Sequence, residues 1–259
     1  MLTQWISLVS SVILISAESN TDRIFEGHSV PISEIPWQAS LHRNGKHTCD
    51  AVIYNDRIVI TTAHCIPTDN NTEITIRAGS SMSNSGGQVV KVSRIEIHEG
   101  FGQSLSNDIA VIRLQSPLQM GVNVKSIPLA NSSPKPESFA SVSGWGPVGC
   151  HHADSSSLLQ TKVNIVDMDS CQKIYVQGGS GGPLVSDGKL IGIVTLGNGC
   201  AHPDYPAIYI DVAQLKSWIL KAIQQVLCPC SKKYNNIKRL TMLQDYGLWG
   251  GDKESVDRA

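Results

Sequence analysis

Apolar and polar residues alternate in short runs through the middle of the chain: Glu73 to Ala78, Gln88 to His98, Asp108 to Leu114, Lys189 to Leu196 and Ala207 to Val212. Each run is rich in Val and Ile and is bounded by Gly, Ser, Asn or Pro, the pattern of strands in a sandwich or barrel. A helical period stands out in one place. Val212, Leu215, Ile219, Ile223 and Val226 recur at three- and four-residue steps and form an apolar stripe. The pattern predicts an all-β domain closed by a terminal helix, with no internal repeat.

The two ends differ from this middle. Residues Trp5 to Ile15 are largely apolar, and Ala17 precedes the polar run Glu18-Ser19-Asn20. That reads as an export signal over residues 1–17, although only the terminal amine supplies a positive charge ahead of the apolar run. A bilayer anchor needs about 20 apolar residues, and this run is shorter and broken by Ser7, Ser10 and Ser11. A soluble, secreted, extracellular protein is expected. Past the helix, Cys228-Pro229-Cys230 opens a polar, mixed-charge stretch, and residues 227–259 read as a disordered tail rather than a second domain.

Composition narrows the partners. The chain carries 21 basic and 22 acidic residues; taking away residues 1–23 removes Arg23, Glu18 and Asp22 and leaves twenty of each. A neutral balance gives no reason to expect nucleic acid or an anionic membrane surface. Seven cysteines in an exported chain suggest disulfides, and the odd number leaves at least one thiol unpaired or joined to another chain. Asn70-Asn71-Thr72 and Asn131-Ser132-Ser133 fit the N-glycosylation pattern, which also arises often by chance.

Three segments carry candidate chemistry, in this order: Thr61-Thr62-Ala63-His64-Cys65, Asn107-Asp108-Ile109-Ala110-Val111 and Gly178-Gly179-Ser180-Gly181-Gly182-Pro183-Leu184. A serine hydroxyl is a weak nucleophile at neutral pH and needs a neighbouring base. An imidazole can take that proton and later return it to a leaving amine. A carboxylate on the other ring nitrogen fixes the tautomer and stabilises the imidazolium. Singly, each residue type is more often structural; together and in this order they match the arrangement of chymotrypsin.

On these segments the chain resembles the trypsin/chymotrypsin family of serine proteases, and the likeness runs from about Ile24 to Val226. Arg23-Ile24-Phe25-Glu26-Gly27 is similar to the family's activation junction, Ile35-Pro36-Trp37-Gln38 to the lead-in to its first cysteine pair, and Ser143-Gly144-Trp145-Gly146 to the start of a loop of the second barrel. Tyr205-Pro206-Ala207-Ile208-Tyr209 resembles the back of the specificity pocket, while Ala78-Gly79-Ser80-Ser81 and His98-Glu99-Gly100-Phe101 look like insect trypsins.

The resemblance implies two antiparallel β-barrels packed together, divided near residue 130, with the active site between them and a C-terminal α-helix. It implies a propeptide over 18–23, cut after Arg23 to free Ile24, and a peptidase domain over 24–226. By the same resemblance His64, Asp108 and Ser180 are catalytic, and the N–H groups of Gly178 and Ser180 form the oxyanion hole. Thr195, Leu196, Gly197 and Ala207 bind substrate, and Cys49 pairs with Cys65. The implied partners are a protein or peptide substrate, an activating protease and protein inhibitors, for a monomer needing neither cofactor nor metal.

The chain departs from the family in places that bear on competence. Eight residues separate Cys171 from Ser180, where the family carries well over twenty, so a stretch holding two cysteines and the pocket floor is missing. Cys171 and Cys200 lose their usual partners and either pair together or stay free; Cys150 has no family counterpart. Gly179 stands where the family has an Asp that receives the new Ile terminus after activation. Asp50-Ala51 replaces two glycines, Leu196 a tryptophan, and Ala207 a common glycine. Three readings follow: a weakened endopeptidase, a non-catalytic homologue that binds peptides or proteases, or a coding loss between Val176 and Gln177 joined to an unrelated tail.

Overall fold

The computed structural model describes residues 12–16, 27–69, 71–102, 107–146, 155–166, 180–196 and 207–228. In chain order the strands are β1 (Val12–Ser16), β2 (His28–Ser29), β3 (Gln38–Arg43), β4 (Lys46–Ile53), β5 (Ile58–Thr61), β6 (Ile74–Ala78), β7 (Gln88–Ile97) and β8 (Ala110–Leu114). They continue with β9 (Phe139–Gly144), β10 (Leu159–Val166), β11 (Pro183–Ser186), β12 (Lys189–Leu196) and β13 (Ala207–Asp211), and the chain then enters α1 (Val212–Leu227). The chain separates into two units, Met1–Val226 and Leu227–Ala259.

β3 to β8 close a barrel in the order β3-β4-β5-β8-β7-β6, with β6 pairing back to β3. Its lining includes Leu41, Ile53, Val59, Ile76, Ile112 and Leu114. On β4, β5 and β8 the alternate residues are buried too: Val52, Ile58, Ile60 and Val111 belong to a second cluster. These strands are covered on both faces, so β4 and β5 lose the apolar–polar alternation of a half-buried strand, and β8, read from the sequence as an alternating run, is buried on both faces instead.

The second sheet runs β1-β13-β12-β11-β9-β10-β2, and β1 also pairs with β10, so the expected second barrel is closed through β1. Leu14, Ile15 and Ser16 face Val166, Ile165 and Asn164 on one side, while Val12 to Ile15 face Ile210 to Ala207 on the other. The residues read from the sequence as part of an export signal thus form a barrel strand here. A short apolar run rich in Val and Ile suits either role.

The predicted helix is observed over Val212–Leu227, and its stripe is buried, with Ala222 added to it. Asp211 caps it, its Oδ1 accepting from the N–H groups of Ala213 (2.9 Å) and Gln214 (3.2 Å). Leu215, Ile219 and Ile223 join one cluster with Val52, Ile58 and Ile60 of the first barrel and Leu190, Ile193 and Ile210 of the second. At about 1.5–3 kcal/mol for each fully buried side chain, this stripe is a principal tie between the barrels.

Candidate active site

His64 lies in a single 3-10 turn, Ala63–Cys65, directly after β5. Cys49 and Cys65 are disulfide-bonded, so the expected pairing is observed; closing that sixteen-residue separation contributes about 3 kcal/mol on chain-entropy grounds. Arg43, at the end of β3, donates from Nε to the Cys65 carbonyl (2.9 Å) and from Nη2 to that of His64 (3.1 Å). The turn is therefore held from below by a disulfide and from the side by a guanidinium.

Asp108 precedes β8 and receives the histidine twice. The His64 backbone N–H donates to Oδ1 (2.9 Å) and the ring Nδ1–H to Oδ2 (2.6 Å). The Thr195 hydroxyl, arriving on β12 of the other barrel, also donates to Oδ2. The Asp108 side chain is 4% exposed and that of His64 35%, so the base faces the solvent from a buried anchor. Burial pushes the Asp108 carboxyl up, but the hydrogen bonds from His64 and Thr195 together with the nearby imidazole outweigh it and hold the carboxyl below the ordinary aspartate value. With Nδ1–H committed to the carboxylate, the neutral ring keeps Nε2 as its proton acceptor.

Ser180 is half-buried on the turn that leads into β11. Its carbonyl accepts from the Asp50 N–H (2.9 Å) of the first barrel. The next residue, Gly181, has φ 89° and lies so close to the Asp50 carbonyl and Thr61 Oγ1 that a side chain would overlap both. Its N–H donates to the Val194 carbonyl (2.8 Å), and the Val194 N–H returns to the Gly182 carbonyl (2.9 Å). The serine turn is thus fixed between Thr61, three residues before His64, and Val194, one residue before Thr195.

Of the other predicted residues, Leu196 ends β12 opposite Ile208 and Ala207 opens β13. Gly178, Gly179, Gly197, Arg23 and Ile24 lie outside the described residues, as do Cys150, Cys171, Cys200 and Cys230. Among the described cysteines Cys228 is free and exposed. The donor atoms of Cys49, His64 and Cys65 lie within 4.8 Å of one another, but two of them are disulfide sulfurs and offer no thiolate. Sequence reading assigned Thr195 to substrate and missed its hydroxyl on Asp108. It missed the support from Arg43 altogether, for which an arginine at a strand end gives no signal.

The family model described as Trypsin matches residues 24–219. Trypsin delta of Drosophila erecta is 43% identical over 222 residues, covering 77% of this chain and 88% of that protein. Trypsin alpha-4 of Lucilia cuprina is 39% identical over 226 residues, with 79% and 89% covered. Among solved structures, neuropsin, a serine protease expressed in the limbic system of mouse brain, superimposes with a TM-score of 0.68 at 31% identity, covering 76% of this chain and 99% of its own. Since 77% of 259 residues is about 199, the 222 aligned positions of Trypsin delta include some twenty without a counterpart here.

Proposed function

We propose, from the premise that this chain belongs to the trypsin family of serine endopeptidases, that it hydrolyses peptide bonds through an acyl-enzyme on Ser180. In this reading His64 Nε2 removes the hydroxyl proton as Ser180 Oγ attacks the carbonyl carbon, and the proton then passes to the departing amine. Asp108 keeps the ring in the required tautomer and stabilises the imidazolium. Water, activated by the same imidazole, releases the acid and restores the serine. The Gly178 and Ser180 N–H groups stabilise the oxyanion, and residues Thr195 to Gly197 pair with substrate backbone, with Ala207 at the pocket wall.

The observation that carries this reading is the shared carboxylate: Asp108 Oδ2 takes hydrogen bonds from both His64 and Thr195, and the turn of Ser180 is bonded through its backbone to Asp50 and Val194. The chain is a secreted zymogen in this proposal, exported after cleavage near Ala17 and activated by another protease after Arg23. Among the described residues no helix is long and apolar enough to cross a membrane. The mature form acts as a monomer on protein substrates and is open to protein inhibitors.

Activity is impaired. The stretch missing before Ser180 takes away pocket wall and floor, and Gly179 provides no carboxylate for the new Ile24 amine. An oxyanion donor out of place lowers the rate about 100- to 1000-fold. Those two features also favour a second reading, a catalytically silent homologue that binds peptides or proteases. Protein cleaved after Arg23 and treated with a fluorophosphonate probe separates the two: slow labelling lost in Ser180→Ala supports the endopeptidase. An unlabelled chain beside a labelled trypsin control overturns it. Sequencing the transcript across Val176 and Gln177 establishes whether the short segment is encoded.

A further inference from the structure

Asp50 follows Cys49 in β4 and is 3% exposed. Its backbone is bound into the site on both sides: the N–H donates to the Ser180 carbonyl (2.9 Å), and the carbonyl accepts from Thr61 Oγ1 (2.8 Å). The carboxylate reaches the second barrel. Oδ1 accepts from the Trp145 N–H (3.4 Å), and Oδ2 lies so near Gly144 that a Cβ there would overlap it. A Cβ on Gly182, two residues after the nucleophile, would stand 3.5 Å from the same oxygen. Next to this contact, Ser143 Oγ donates to Gln38 Oε1 (2.8 Å), a second bond between the barrels.

Burying a carboxylate is costly unless hydrogen bonds hold it, and an apolar or absent side chain would spare that cost. A carboxyl group kept at this buried place, joined through its backbone to the serine turn and through its side chain to the second barrel, therefore points to a use. We propose that Asp50 is a positioning residue: its carboxylate clamps the Gly144–Trp145 segment of the second barrel against β4. The clamp holds β4 and the serine turn in the register that presents Ser180 to His64. This rests on the endopeptidase reading. It also explains why Gly144 is a glycine, since the carboxylate occupies the space of its side chain.

The test compares the chain cleaved after Arg23 with Asp50→Ala, Asp50→Asn, Gly144→Ala and the double variant Asp50→Ala/Gly144→Ala. Two quantities are measured: the urea unfolding midpoint, and the rate at which a fluorophosphonate labels Ser180 well below that midpoint. Displacement of the nucleophile lowers the labelling rate of Asp50→Ala by about tenfold or more, and Asp50→Asn, which keeps the shape and an acceptor oxygen, recovers most of it. Gly144→Ala lowers the midpoint in the parent and leaves it nearly unchanged in Asp50→Ala, the non-additivity expected of side chains in contact. Equal labelling of parent and Asp50→Ala overturns the positioning role, and additive midpoints overturn the clamp. A parent that does not label beside a trypsin control overturns the endopeptidase reading and the positioning role with it, and persisting non-additivity then leaves the clamp standing as a structural contact.

Discussion

The two barrels reach the same ring of six strands by different means. The first is built from consecutive strands between Gln38 and Leu114, and Leu41, Ile53, Val59, Ile112 and Leu114 inside it are all 0% exposed. The second is closed by β1, which comes from the far N-terminal end of the chain and sits between β10 and β13. Its lining is buried to the same degree, from Leu184 at 0% to Val163 at 8%, so the difference lies in how the ring is closed and not in how well it is covered. Bringing a remote strand into place carries a larger loop entropy, and this closure depends on a segment far along the chain from the rest of its sheet. The candidate catalytic groups divide along the same line. His64 and Asp108 stand on the self-contained barrel, whereas Ser180 and Thr195 stand on the dependent one.

Removing residues 1–17, the segment read as an export signal, is the sharpest way to test that difference. β10 and β13 then become open edges along the positions now paired with Val12 to Ser16. At about 1 kcal/mol net for each main-chain hydrogen bond lost, the second barrel is destabilised by several kcal/mol. Hydrogen exchange followed by mass spectrometry is expected to speed up in β10 and β13 and to leave β3 to β8 protected. Equal protection of both barrels in the truncated chain would show that β1 is dispensable and that the two closures are equivalent.

A smaller contrast comes from truncating one lining residue in each barrel. Ile53→Ala leaves a cavity in a sealed interior and is expected to cost about 2–5 kcal/mol. Ile165→Ala, opposite Ile15 on the closing strand, costs roughly half as much, because a wall closed by a remote strand shifts into the space more readily. Denaturant midpoints at fixed slope measure both. A larger loss at Ile165 than at Ile53 contradicts the ranking.

The same comparison explains what could be read from the sequence. Lys189–Leu196 has the predicted bounds, β7 ends one residue before the predicted His98, and the helix extends one residue past Val226. β7 and the helix have one apolar face and show their period, whereas β12, buried from Leu190 to Thr195, is marked instead by its Ile- and Val-rich composition between turn residues. β5 does not, because Ile58 to Thr61 are buried on both faces, and no alternation survives to be seen. The three candidate catalytic residues were legible from local motifs, since each sits within a few residues that share its geometry. Asp50 and Gly144 were not: the chain joins them only through the contact of two barrels, and neither residue type announces it. β1 was ambiguous for another reason, since Val12-Ile13-Leu14-Ile15-Ser16 has the composition of a signal core and of a strand at once.

Acid titration resolves the two halves by the smallest effect. Asp108, on the first barrel, has its carboxyl held below the ordinary value of about 3.9. Its contribution to stability is therefore complete above that value and is lost as pH falls through the lower folded value. Asp211, at the end of β13, is shifted the other way: burial raises its carboxyl, and the bonds from Ser133 and the Gln214 and Ala213 N–H groups offset that only in part. The folded state then holds a proton more tightly than the unfolded chain, so this residue adds stability as pH falls from above its raised value toward about 3.9. The two windows meet near pH 4 without overlapping. Unfolding midpoints taken from pH 7 to pH 2.5 should show Asp211→Asn flattening the profile above pH 4 and Asp108→Asn flattening it below. The same change in slope from both variants would mean that the two carboxyls titrate together, and that the seam between the barrels responds to acid as one unit.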